Sequence, residues 1–558
     1  MKKLLVQTLR YWHTLRKLKP IQILNRFQRK IPHASYQAST ERIEFLNPKA
    51  IARFINKPQR TKTGQEFEFI GHAEPFCSPE SWFLEAPSKL WLYNLHYFDD
   101  INSAQKGLPA DFSVKHIKTW IEDNQSRNSV GWEPYPNSLR IVNWVKWLIQ
   151  NPTDADRTIL ESLVNQSDYL SKTIEWHLMA NHLFVNAKAL FFAGCFLRAN
   201  RAANWYEKGL SIIRTQVREQ VLFDGGNFEL SPMYHRIQLE DLLDIINIAN
   251  HAPIKSEVLS EDLNYWRSVA SKMLDWSAAM SHPDGEVAFF NDSSMDIARS
   301  HAELREYAAR LKIAPASKVE RTSKVRVFNF PDSGFICVSM GDTQAIYDVG
   351  TVGPDYQPGH AHADTLSFEL SINGQRAIVN GGTSTYDIGE TRARERGTYN
   401  HNTVQIGLDN SSDVWSSHRV GLRARPSNLQ VTKKASTLRV SCEHDGYRYL
   451  AGRPVHKREW FIEPGQLQIT DEVSCKEYKS IARFRIHPAL KLEEITNHSY
   501  KLVSQTGELF ARVNIIKGQS QIEKSTYSPK FGLILDTFTI AARLVQGQSI
   551  IRVSWQEK

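Results

Sequence analysis

The stretch "IAPASKVERTSKV", residues 313–325, separates two kinds of text. Before it, apolar residues recur at three- and four-residue spacing. In "LEDLLDIINIAN" (239–250), Leu239, Leu242, Leu243 and Ile246 stand at i, i+3, i+4 and i+7, one stripe of an amphipathic helix. "NSLRIVNWVKWLIQ" (137–150), "NHLFVNAKALFFAGCFL" (181–197) and "WRSVASKMLDWSAAM" (266–280) behave alike, and such segments continue to about residue 312. After the divide the runs are short, β-rich and alternating: "KVRVFNF" (324–330), "GFICVSM" (334–340), "TLRVSCEH" (437–444), "QLQITDEV" (466–473) and "IIRVSW" (550–555). Many helices in series predict a toroid or solenoid, and the strands predict a large antiparallel sandwich. The fold class expected is multidomain α+β.

At 558 residues the chain exceeds one ordinary core. The reading divides it into a basic helical extension (1–45), a helical domain (46–318) and a β-sandwich domain (319–558). The extension opens "MKKLLVQTLRYWHTLRKLKPIQILNRFQRK", with many basic residues and no acidic one. It reads either as an amphipathic helix in contact with a membrane surface or as a helix packed on the body. Gln7, Arg10, His13 and Arg16 interrupt any apolar run there, so neither a signal peptide nor a transmembrane span is expected, and the expected location is cytoplasmic. The formal charge of +9 suits an anionic partner. Without zinc-finger spacing, an RNP-like motif or a Walker loop, nucleic acid is not the expected one. Cys77, Cys195, Cys337, Cys442 and Cys475 are scattered and odd in number, which argues against a disulfide framework.

Four polar clusters stand out. Asn181 and His182 open a helix, where Asn181 also suits a capping position. In "DGGNFELSPMYHRIQLEDLL" (224–243), Glu229, Tyr234 and His235 sit at a helix entrance. In "PGHAHADTLSFEL" (358–370), read as a strand, His360, His362 and Asp364 share a face with Leu366, Phe368 and Leu370. That places a polar site at the end of a strand whose remainder is core. In "TSTYDIGETRARERGTYNHNTVQI" (383–406), Tyr386, Arg392, Arg394, Arg396, Tyr399, His401 and Asn402 crowd together. The set has no serine nucleophile elbow. It fits proton abstraction beside a carboxylate followed by β-elimination. Such chemistry needs donors for the carboxylate and enediolate, a base for the carbon acid and an acid for the leaving oxygen. Asn, His, Arg and Tyr supply all of these.

Taken in order, "NHLFVNAKALFFAG", "DGGNFELSPMYHRIQLEDLLD", "FFNDSS", "GHAHADTLSFEL", "NGGTSTYD" and "RGTYNHNTVQI" resemble the heparinase II/III-like polysaccharide lyases, over roughly residues 90–460. The likeness is nearest to the branch found in bacterial capsule and O-antigen gene clusters. It implies an incomplete α/α toroid followed by a β-sandwich, and cleavage of a uronic-acid-containing acidic polysaccharide. It also implies roles. Asn181 and His182 neutralise the substrate carboxylate, Tyr234 is the catalytic tyrosine and His360 the base. His362 and His401 match zinc-ligand histidines of some members. Arg140, His235, Tyr386, Arg396 and Tyr399 are the candidate substrate-binding residues, with Tyr386 and Tyr399 competing for a further acid/base hydroxyl. The chain departs from the family pattern twice, with Val185 where the degradative enzymes often carry Glu and Asn380 where a zinc-ligand Asp is usual. A neutral amide is a poor zinc ligand. A metal-free cluster of His362, Asn380 and His401 is therefore expected, with structural zinc as the alternative and no cofactor required for the chemistry. Two other readings compete: a non-catalytic glycan-binding or assembly protein, and a glycosidase using Glu229 and Asp364. Asp364 is expected to orient a histidine or an arginine.

Overall fold

The computed structural model describes residues 2–28, 43–46, 51–85, 88–252, 257–317 and 325–556. The predicted junction at 318/319 and most of residues 29–45 of the predicted extension lie outside these. Up to residue 310 the longer elements are helices, and from Arg326 on they are strands.

Three helices form the centre of the helical half: Pro134–Gln150, Ala180–Phe196 and Pro232–Ala249. From Leu183 onward every residue of Ala180–Phe196 is buried. A helix that is apolar nearly all round can only be stable with neighbours on every side. Ala202–Gln220, Glu257–Ala279 and shorter helices supply them, and their apolar stripes merge in one core.

The strands form three main antiparallel sheets. A five-stranded meander runs from Arg326 to Ile378. An eight-stranded sheet is built around His456–Glu463, Gln466–Val473 and Gln548–Ser554. Four strands, among them Gln519–Lys530 and Leu533–Arg543, make the third. In His456–Glu463 buried and half-exposed positions alternate after the first two residues, as period-two side chains require. The inward residues of all three sheets share one core, in which Tyr347 stacks on Trp460 at 4.9 Å.

The expected strand over 358–370 is shorter than its pattern suggested. It begins at Phe368, and Leu366 adopts a left-handed φ of 61°. The segment bearing His360, His362 and Asp364 is instead a buried loop. Its turn is closed by the Ser367 N–H donating to the Asp364 carbonyl at 2.8 Å. The two histidines therefore lie on a loop and not on one strand face.

The halves meet through an apolar cluster of Leu230, Trp276, Met280 and Phe290 against Phe330, Phe335 and Ile346. The N-terminal helices Lys2–Leu15 and Pro20–Gln28 also pack on the body. Arg10 pairs with Asp413 at 2.7 Å, and the buried Gln22 reaches the carbonyls of His177 and Tyr356. No helix among the described residues is long and apolar enough to cross a membrane.

Candidate active site

A cavity of about 450 Å³ lies between the two halves. Tyr234 enters it from the first turn of Pro232–Ala249. Ser231 caps that helix, its Oγ accepting from the Tyr234 N–H at 3.2 Å and donating to the Asp292 carbonyl at 2.6 Å. One cap thus fixes the tyrosine and ties its helix to the 291–293 turn. The Tyr234 hydroxyl is 3.1 Å from that of Tyr386, and its ring lies 3.9 Å from the His360 imidazole, nearly parallel to it. Burial, and then each other's proximity or that of Asp292, raises both phenols well above the ordinary tyrosine range. Both are held as neutral O–H groups, the form required of a proton donor.

Asp292 organises the other side. Its carboxylate accepts from His360 Nδ1 at 2.9 Å and from His362 Nε2 at 2.8 Å. Arg392 grips both oxygens, with Nη2 at 2.7 Å from Oδ2. Burial would raise the Asp292 carboxyl, but Arg392 and the two histidines outweigh it and hold the group well below the usual carboxylate range. With His360 Nδ1–H committed to that anion, Nε2 is the free lone pair of the ring. It faces Glu229 Oε2 at 3.7 Å. Burial raises the Glu229 carboxyl, partly offset by His360 and His182.

Asn181 and His182 line the same cavity. Asn181 is not the cap: its helix begins at Ala180 behind Met179, whose φ is 61°, and no side chain caps it. His182 Nδ1 bonds to Glu175 at 3.0 Å, and its ring lies 4.5 Å from Tyr135. Val185 also lines the cavity, so the carboxylate that orients His182 comes from Glu175, upstream of the helix.

Four of the predicted substrate-binding residues do something else. Arg140 is fully buried, bonded to Gln166, Asn137 and the Gly131 carbonyl, and stacked 3.7 Å over Trp120. It ties helices together inside the core. His235 points away from the cavity, with Nε2 at 2.9 Å from the Met273 carbonyl and its ring beside Trp276. Arg396 holds the Ala361 carbonyl at 2.9 Å and so braces the loop between the two histidines. Tyr399 lies under Arg483, away from the cavity. Of the two competing tyrosines, Tyr386 is the one at the site.

The expected cluster of His362, Asn380 and His401 is only partly formed. His362 Nδ1 faces His401 Nε2 at 3.2 Å, but the Asn380 amide turns to the Asn402 N–H at 3.0 Å and to Ser367. Burial pushes His362 down to about 4 and His401 well below its ordinary value. A structural zinc needs four ligands, and this pair has no carboxylate, thiol or third imidazole completing a set among the described residues. The residues do not fit the metal. Asp292, His360 and His418 do approach one another, but the Arg392 guanidinium already neutralises that carboxylate.

Among the described residues, no histidine or arginine bonds to the Asp364 carboxylate. It accepts from the Asn291 N–H at 3.1 Å, and Asn291 Oδ1 in turn accepts from the His362 N–H at 3.0 Å. It therefore orients His362 at one remove. The residues missed by the sequence reading are Asp292, Glu175, Arg392 as its partner, and His418. Asp292 stood in the quoted "FFNDSS" without a role.

The C-terminal heparinase II/III-like family model matches residues 322–556, and the heparinase II/III N-terminal model matches 112–320. A heparin-sulfate lyase of Bacteroides stercoris is 25% identical over 405 residues, 67% of this chain and 57% of that one. One of Pedobacter heparinus is 27% identical over 345 residues, 57% of this chain and 51% of that one. The chain thus spans little more than half the length of these relatives. A crystal structure of heparinase III superposes with a TM-score of 0.68 at 19% identity, covering 86% of this chain and 79% of that one, a likeness of fold. With both halves matched in order and the expected architecture in place, the chain belongs to the heparinase II/III-like family.

Proposed function

We propose that the chain is a polysaccharide lyase that cleaves a uronic-acid-containing acidic glycan by β-elimination. The observation that carries this is the Tyr234–Tyr386 hydroxyl pair beside an imidazole whose Nδ1–H is fixed on Asp292. Asn181 and His182 hold the uronate carboxylate and stabilise the enediolate as charge develops on it. His360 Nε2 takes the proton from the carbon next to the carboxylate. The glycosidic oxygen on the adjacent carbon leaves with a proton from Tyr234, and a carbon–carbon double bond remains. Tyr386 steadies the Tyr234 hydroxyl and relays its replacement proton. Every step uses this chain's own side chains, and no cofactor is proposed.

The glycosidase alternative needs two carboxylates flanking the cleft. Asp364 lies beneath the loop on Asn291, so it offers no such pair with Glu229. The binding-protein alternative rested on the two departures from the family pattern. Glu175 supplies a carboxylate to His182 where Val185 has none, and His362 bonds directly to His401 where the family pattern is broken by Asn380, so neither departure removes a group that the proposed reaction uses. The place we propose for the activity is bacterial surface-polysaccharide metabolism. The N-terminal helices leave Trp12, Leu24, Arg26 and Phe27 exposed, which supports peripheral contact with an anionic membrane. The test is incubation with heparan sulfate, chondroitin sulfate, hyaluronan and alginate, read by ultraviolet absorbance of unsaturated uronide ends.

A further inference from the structure

Two hairpin tips, one from each half, meet beside the cavity. The strands Glu66–Phe69 and His72–Pro75 are joined by Ile70 and Gly71, with φ of 48° and 77°. This is the left-handed pair that a tight two-residue turn requires. A β-branched residue rarely adopts it, so Ile70 is a strained position that its surroundings must hold. The strands Gln519–Lys530 and Leu533–Arg543 are joined by Phe531 and Gly532, with a φ of 74° at the glycine. The two tips touch backbone to backbone. A Cβ added to Gly532 would lie 2.2 Å from the Ile70 carbonyl oxygen, and one added to Gly71 would lie 3.3 Å from that of Phe531.

The same junction is tied by charge. Arg60, whose carbonyl accepts from the Glu68 N–H at 2.9 Å, pairs with Asp296 at 3.2 Å, and Lys530 approaches Asp296 at 3.8 Å. Ile70 and Phe531 both line the cavity. The Phe531 ring lies 4.9 Å from Tyr386, edge to face, so the crossing stands one aromatic ring from the reacting hydroxyls. A second crossing comes from the N-terminal helices. Gln22 bonds to His177 in the helical half and to Tyr356 in the sandwich half, next to the cavity-lining Leu178 and Gln357. Lys19 covers the Tyr356 ring at 4.0 Å and pairs with Glu219. The cavity of about 450 Å³ is in the range of sites for small ligands.

We infer that the protein acts at one end of its glycan, releasing short unsaturated fragments, because the Ile70–Gly71/Phe531–Gly532 contact crosses the cleft beside Tyr386. This rests on the lyase reading above. A polymer lying through the cleft by its middle would have to push apart a pair of turns that are in backbone contact. A chain end needs no such opening.

Binding stoichiometry tests the inference without turnover. The Tyr234→Phe chain is titrated calorimetrically with two length fractions of whichever tested polymer the wild type degrades, or of heparan sulfate if it degrades none. End seating predicts the same number of proteins per polymer molecule at both lengths. A number that rises in proportion to length overturns the inference. Product length gives a second readout. From the wild type the expected result is only short unsaturated products from the earliest times, and an early ladder of product lengths overturns the inference. If no double bonds form on any glycan and no polymer binds, the lyase reading and the inference fall together.

Discussion

Replacing Asp292 by asparagine removes one charge and leaves the shape almost intact. In the native site that charge faces Arg392, His360 and His362, all within hydrogen-bond distance, and Asp292 and Arg392 are fully buried. Two losses follow. Arg392 keeps its charge in the interior without a counter-ion, and breaking a buried pair in this way costs about 3–5 kcal/mol. The stability loss is read from the denaturant midpoint. His360 also loses the anion that commits Nδ1–H, because an amide can present either its oxygen or its NH₂. The base is then mispositioned for a fraction of the time, and kcat should fall by roughly 10²–10⁴, the range that a positioned general base contributes. Rates are measured as ultraviolet absorbance at saturating glycan, under conditions where the denaturation curve shows the variant folded. A folded Asp292→Asn protein that keeps a kcat within about tenfold of wild type would refute the assignment of His360 as the base held by Asp292.

Glu175→Gln removes the charge-assisted bond to His182 Nδ1, worth roughly 1.5–3 kcal/mol, so KM should rise about ten- to a hundredfold while the unfolding midpoint moves little; an unchanged KM contradicts the carboxylate-holding role of His182. Arg140→Met should do the reverse, lowering stability by about 3 kcal/mol with KM within about twofold of wild type, because its partners are core groups. Stability should also depend on pH through the buried neutral histidines. His362 is lowered from 6.5 to about 4, so as pH falls below about 6.5 the unfolded chain takes up a proton that the folded one refuses. This residue alone removes about 3 kcal/mol between pH 6.5 and 4 and contributes nothing above. Asp292, held low, adds its loss only below the ordinary carboxylate range near 4. Denaturant midpoints that stay flat from about pH 6.5 to 4 contradict burial of these rings in neutral form.

Much of the architecture was legible because periodicity is a local property. The stripe Leu239, Leu242, Leu243 and Ile246 became the core face of Pro232–Ala249, and "TLRVSCEH" and "QLQITDEV" became strands with the bounds their alternation suggested. The run at 358–370 misled because alternation over its first half came from a turn. Leu366 in the left-handed region breaks any strand there. At the site, Tyr234, His360, Asn181 and His182 were found through their motifs. Asp292 was not, because its partner Arg392 stands 100 residues away and nothing local marks a short N-D-S-S turn as a charge hub. Arg140, His235 and Arg396 were misplaced for the complementary reason. A buried arginine or histidine satisfied by carbonyls has the same letter as one that meets a substrate, and only its partners distinguish the two.

The most direct test of the account compares wild type and Tyr234→Phe on one susceptible uronate glycan, following both ultraviolet absorbance and product mass. The phenol hydroxyl is the only group removed, and its loss costs about 1 kcal/mol or less in stability if the Tyr386 hydrogen bond is of ordinary strength. The account predicts unsaturated products formed without uptake of water by the wild type, and their disappearance in a variant whose unfolding midpoint moves little. Products that have gained water, or absorbance that persists in Tyr234→Phe, would contradict it.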